Sequence, residues 1–137
     1  MSLHHIRVKL VNIHQSNDQI HALLHKDNEV QILLLQKPWF GTVVTTRSDT
    51  DPNGTPQWGL PINPTWKLFL PKHTPDNTCK AITYVRKSLT DSLIVINRLD
   101  HPLSMPNLIV LDILERDQVT QLDKTTLQLI NIYHPCR

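Results

Sequence analysis

The stretch QILLLQKPW, residues 31–39, decides the fold of this chain. Ile32, Leu33, Leu34 and Leu35 form an unbroken aliphatic run. A strand with one wet face alternates apolar and polar residues, whereas a continuous run suits a parallel strand covered on both sides. The run ends in Gln36 and passes directly into Lys37, Pro38 and Trp39. A strand built to be dry therefore delivers a cation at its tip.

Upstream, residues 6–13 (IRVKLVNI) alternate, with Ile6, Val8, Leu10 and Asn12 on one face and Arg7, Lys9, Val11 and Ile13 on the other. A short helix should follow, with Ser16 or Asn17 as its N-cap and Ile20, Leu23 and Leu24 turned inward. Asp27 and Asn28 end it, and residues 30–36 return as the second strand. Strand, helix, strand is the unit that makes a parallel pair.

Between residues 47 and 77 the character changes, with Pro52, Pro56, Pro61, Pro64, Pro71 and Pro75 accompanied by Gly54 and Gly59. Such a segment reads as loop, interrupted by the brief strand WKLFL at 66–70. Strand-like segments follow at 81–86, 93–98, 108–114 and 126–133, joined by polar connections such as KSLTD and DHPLSMPN. The expected class is α/β leaning to α+β, a single domain over 1–137 with one mixed sheet and one early βαβ crossover helix. One helix of about ten residues covers only part of such a sheet. The aliphatic later strands want cover on both faces, so a second sheet from another copy or a partner is expected.

Composition excludes several classes. Fourteen Lys+Arg against twelve Asp+Glu is too even a balance to imply nucleic-acid binding by itself. No apolar run reaches the ~20 residues of a membrane span. Met1, Ser2, Leu3, His4 and His5 do not open a signal peptide, so no membrane association is expected. Cys79 and Cys136 are widely separated and form no C-x-x-C, which suits a reduced intracellular protein, cytoplasmic or nuclear.

Several constellations carry chemistry on paper. His21 and His25 have the i, i+4 spacing of paired metal ligands, yet no third ligand accompanies them, and a solvated helix face explains them as well. Cys79, Cys136 and His134 make a zinc or nucleophile site only if folding gathers them. Three glycines in the whole chain exclude a glycine-rich phosphate loop. Asn12 stands at the C-terminal end of the first strand, where ligand sites collect in open α/β sheets, or else it satisfies a turn. Lys37 holds the equivalent place on the second strand and Tyr133 on the last, so the three strand ends can share one rim.

The order of an asparagine-ended first strand, a helix, LLLQ-x-PW, a Pro-rich loop, AITYVRK, LIVLDI and INIYHP resembles the endonuclease/exonuclease/phosphatase superfamily. Within it the chain looks most like the abasic-endonuclease-like endonuclease domains of non-LTR retrotransposons. The resemblance runs from Ile6 to Pro135. It implies a four-layered α/β sandwich and Mg²⁺-dependent phosphodiester hydrolysis. By the same resemblance Asn12 matches the first-strand asparagine of the metal site and Tyr133 the tyrosine near the phosphate. Lys37 stands where the family carries its metal-binding glutamate.

An ammonium cannot ligate Mg²⁺, which takes oxygen ligands. A unit-charge pair at ~4 Å is worth ~4 kcal/mol at an effective dielectric of ~20, and replacing −1 by +1 beside a divalent cation costs several times that. The family's Asp-x-Asn and terminal Asp-His motifs would follow the strand that ends here at NIYHP. The sequence thus reads as the N-terminal half of such a sandwich, completed by a second chain as a homodimer through its sheet face. The expected function is that of a catalytically inactive, retrotransposon-derived self-associating or partner-binding module, with no cofactor and no metal. Two alternatives stand beside it. One is a phosphate or nucleic-acid binder using Lys37 in place of the metal, assisted by Arg86, Lys87 and Arg98. The other is a metal nuclease whose missing parts come from another chain.

Overall fold

The computed structural model describes residues 6–26, 29–39, 41–48, 51–71, 80–100, 102, 108–116 and 123–133. The first unit is a strand–helix–strand crossover, β1 (Val8–Asn12), α1 (Asn17–Lys26) and β2 (Ile32–Gln36). β1 and β2 are parallel, with Val8 opposite Ile32 and Asn12 opposite Gln36. Ser16 caps the helix, its Oγ accepting the Gln19 N–H at 3.2 Å. Asp18 in the first turn adds a charge favourable to the positive end of the helix dipole.

Two more strands complete the first sheet: β5 (Trp66–Phe69) and β6 (Ala81–Arg86), after the hairpin strands β3 (Gly41–Ser48) and β4 (Asp51–Gly59). The strand order is β1-β2-β6-β5, parallel at the first pairing and antiparallel at the other two. The unbroken run in β2 is explained by its two coverings. Leu33 and Leu35 pack under α1 against Ile20 and Leu24. Ile32 and Leu34 face the opposite way, into a second core with Ile109, Leu111 and Ile113. Full burial of each such side chain contributes roughly 1.5–3 kcal/mol.

That second core is closed by α2 (Lys87–Ser92) and a three-stranded antiparallel meander, β7 (Ile94–Asn97), β8 (Leu108–Arg116) and β9 (Asp123–Ile132). The expected α+β-leaning class, with a mixed sheet and one early crossover helix, is what the chain adopts, and the later strands β7–β9 form a separate antiparallel sheet stacked on the first. The expected completion by a second chain is corrected, because β7–β9 of the same chain cover this face. β8 lies over β6, and β9 lies over β2 and β6. Asn131 fixes the two layers, its Nδ2 donating to the Ile82 carbonyl at 2.8 Å within the buried interface.

Two local expectations also change. Residues 51–59 were expected as loop but form β4, paired with β3 through registers that include Thr45 opposite Pro56. A two-stranded ribbon leaves each strand one free edge, and proline is tolerated where its nitrogen faces that edge. KSLTD was expected as a plain connection but lies in α2, which buries Leu89 and ends with Leu93 N–H donating to the Leu89 carbonyl at 2.9 Å. Residues 72–77 of the Pro-rich segment lie outside the described residues.

Candidate functional site

The strand ends converge at one rim. Register sets Asn12 beside Gln36, and the Gln36 Nε2 donates to the carbonyl of Ile132, the last residue of β9. Tyr133 follows at once, and the Lys37 Nζ stands 5.7 Å from the centre of its ring. At an exposed site such a cation–π contact contributes roughly 0.5–1 kcal/mol. The structure thus brings Asn12, Lys37 and Tyr133 to the same rim.

The backbone of this rim is strained. His14, Gln15 and Lys37 have φ of 52°, 61° and 50°, the left-handed region that non-glycine residues avoid. Each costs roughly 1–2 kcal/mol. The conformation is held by hydrogen bonds between the two turns: Gln15 N–H donates to the Lys37 carbonyl at 2.8 Å, and Lys37 N–H to the Lys80 carbonyl at 3.0 Å. Asn12 takes the turn role, its Oδ1 accepting the His14 N–H at 3.0 Å.

These donors do not fit a magnesium ion. The Asn12 side-chain oxygen is engaged by the turn, and the neighbouring side-chain head is an ammonium. Among the described residues no group of three or more His, Cys, Asp or Glu side chains gathers anywhere. What the rim offers is the Lys37 ammonium, the Asn12 and Gln36 amides and the Tyr133 phenol, groups able to meet an anionic oxygen.

The other cations proposed for phosphate lie elsewhere. Gln36 pairs with Ala81 at one end of β6, whereas Arg86 ends the strand beyond Val85, opposite Ile32. There the Arg86 Nε donates to the Val30 carbonyl at 3.0 Å, and its guanidinium stacks 4.3 Å from the Trp66 ring centre. Lys87 follows it at the same far end. Arg98 is on the outer face of the second sheet, its Nε donating to Asp112 Oδ2 at 2.6 Å; this hydrogen bond raises the Arg98 pKa. Gln128 Nε2 donates to the other Asp112 oxygen at 2.8 Å. Arg86, Lys87 and Arg98 therefore do not line the Lys37 rim.

His21 and His25 lie nearly parallel on α1 with ring centres 6.4 Å apart. Cys79, His134 and Cys136 fall outside the described residues. Sequence reasoning passed over Gln36 and Asn131, the side chains that join the rim to the second sheet. Asn131 carries a recognisable signal, since it continues the inward parity of Leu127 and Leu129 along β9.

The open side of the sandwich is the remaining feature. β1 and β9 are edge strands of their sheets, each hydrogen-bonded to one neighbour among the described strands. Val8 and Leu10, on the β1 face that looks toward the second sheet, are 42% and 60% exposed. Ile130 and Ile132 on β9 are 44% and 47% exposed.

In comparisons with known proteins the chain matches no family model, no curated protein and no solved structure. Among the described residues no helix is long and apolar enough to cross a membrane.

Proposed function

We infer that this chain is a catalytically inactive, endonuclease/exonuclease/phosphatase-like scaffold of retrotransposon origin that acts inside the cell, in cytoplasm or nucleus, as a self-associating module. The observation that carries the reading is a pair of exposed apolar edges: Val8 and Leu10 on the inner face of β1, and Ile130 and Ile132 on the outer face of β9. Apolar surface next to unpaired strand edges is the ordinary mark of an association site. Lys37 supports the loss of chemistry, because it puts an ammonium where the resembling enzymes hold a carboxylate. Light scattering on the purified chain tests the association, which requires a species above monomer mass at micromolar concentration. Nicking of supercoiled DNA with Mg²⁺ tests the inactivity. Neither the natural chain nor Lys37→Glu cleaves on this reading; cleavage by Lys37→Glu would support the metal nuclease instead.

A second reading is favoured by one observation, the Lys37 ammonium at a rim with Asn12 and Tyr133. It makes the protein a binder of phosphate or nucleic acid. Since only Lys37 of the four named cations reaches that rim, the salt dependence of any DNA affinity should be shallow. Titration of a short DNA at low and high salt decides it: no salt-sensitive binding removes this reading.

A further inference from the structure

Helix α1 carries a pair of side chains that neither sheet uses. Ser16 caps the helix, and the buried Ile20 and Leu24 hold one side of it against β2. His21 and His25 each follow one residue after these anchors, so at 3.6 residues per turn they share a neighbouring stripe. His21 is half-buried and His25 exposed. Their rings lie 19° from parallel, with centres 6.4 Å apart. Neither imidazole has a hydrogen bond or ion pair among the described residues. The core thus fixes where the two rings stand and leaves their nitrogens uncommitted.

We propose that His21 and His25 together bind one divalent transition-metal ion of the kind imidazole prefers, Zn²⁺, Ni²⁺ or Cu²⁺. A neutral imidazole offers one nitrogen lone pair, and each such bond to zinc is ~2.0–2.1 Å long. Two nitrogens on one tetrahedral ion are then roughly 3.3 Å apart. Residues four apart on a helix have Cβ atoms ~5–6 Å apart. Rotation about the side-chain bonds therefore brings the nitrogens to that spacing with the backbone unmoved. Asp18, three residues before His21, adds a negative charge about one turn away that favours a cation. It is not a third ligand, because no group of three His, Cys, Asp or Glu gathers among the described residues. An ion held by two protein nitrogens keeps its other positions for water. It is exchangeable, unlike the closed four-ligand zinc that holds a fold together. Mg²⁺ does not compete, since it takes oxygen ligands. The pair lies on the second half of α1, away from the rim of Asn12 and Lys37 where the helix begins.

The ion ties one turn of α1 to the next and fits only the folded helix, so its binding shows as stability. The test is urea unfolding of the natural chain at one fixed protein concentration, with and without Ni²⁺, which unlike Cu²⁺ leaves thiols unoxidised. An ion that binds only the folded state, at 100 times its dissociation constant, should lower the unfolding equilibrium constant about 100-fold. A histidine that binds alone meets the ion equally well in the unfolded chain and gives no such shift. His21→Ala and His25→Ala each remove one nitrogen and keep a strong helix former, and each should abolish the shift. Far-UV circular dichroism checks that both variants fold. Mg²⁺ at the same concentration should produce no shift. The absence of a Ni²⁺ shift in the natural chain overturns the proposal. A shift that survives in folded His21→Ala or His25→Ala also overturns it, because the ion is then held elsewhere. An equal shift with Mg²⁺ marks an effect of charge alone and has the same consequence.

Discussion

Asn131 gives the sharpest test of the two-sheet interior. It is 2% exposed and inserts its amide between β9 and the first sheet. Its Nδ2 makes one good hydrogen bond, to the Ile82 carbonyl at 2.8 Å, and two long approaches at 3.4 Å to the Leu35 carbonyl and Thr83 Oγ1. Its Oδ1 is buried with no partner among the described residues. Asn131→Ala forfeits one buried hydrogen bond, about 1–1.5 kcal/mol, and leaves a void where the amide stood; the total loss is about 2 kcal/mol. Asn131→Leu keeps most of the volume and removes the partnerless oxygen, so its stability should stay within about 1 kcal/mol of the natural chain. Asn131→Asp puts a carboxylate against carbonyl oxygens and should cost about 3 kcal/mol or more at neutral pH. Urea unfolding followed by tryptophan fluorescence, at one fixed protein concentration, reads all three. A ladder in which Asn131→Asp and Asn131→Ala both lie within about 0.5 kcal/mol of the natural chain is that of a surface residue. It would refute the stacking of β9 on β2 and β6.

Burial pushes the Tyr84 hydroxyl well above its ordinary pKa, and this hydroxyl donates to the Pro61 carbonyl at 2.6 Å. The unfolded chain then loses this proton first, so the contribution is complete below about pH 10 and is lost as pH rises further, by up to about 1.4 kcal/mol per unit. Unfolding measured between pH 8 and 11 should show this loss in the natural chain and lack it in Tyr84→Phe. Ser16→Ala removes the helix cap and should cost about 1 kcal/mol in the same urea assay; no loss would mean that the Oγ contact at 3.2 Å does not cap α1. Lys37 holds φ at 50°, which glycine adopts freely and a β-branched residue resists. Lys37→Gly should therefore be more stable than Lys37→Val by about 2 kcal/mol, and equal stabilities would contradict the turn geometry.

The crossover unit was legible because its signals are local. The alternation of residues 6–13, the Ser16 cap and the apolar run of QILLLQ each fix their own element, and together they force a parallel pair. The division of the later strands between two sheets was not legible, since AITYVR and LIVLDIL both read as buried strands. What separates them is α2, which redirects the chain after Arg86 and whose only described buried side chain is Leu89. The hairpin of residues 41–59 was hidden by prolines that a ribbon edge tolerates. The rim itself was readable from the three strand ends. The cation set was not, because an antiparallel β6 carries Arg86 away from Lys37 by the full length of the pairing. Only register could reveal that.

Val8 and Leu10, exposed on the edge strand β1, join fold and function. On the self-association proposed above, a second copy of the chain covers them. The most direct measurement is the mass of the purified chain by sedimentation equilibrium at micromolar concentration. Self-association gives twice the 15.8 kDa of the single chain, falling to the single-chain mass in Leu10→Lys. A natural chain that sediments at 15.8 kDa throughout that range contradicts it.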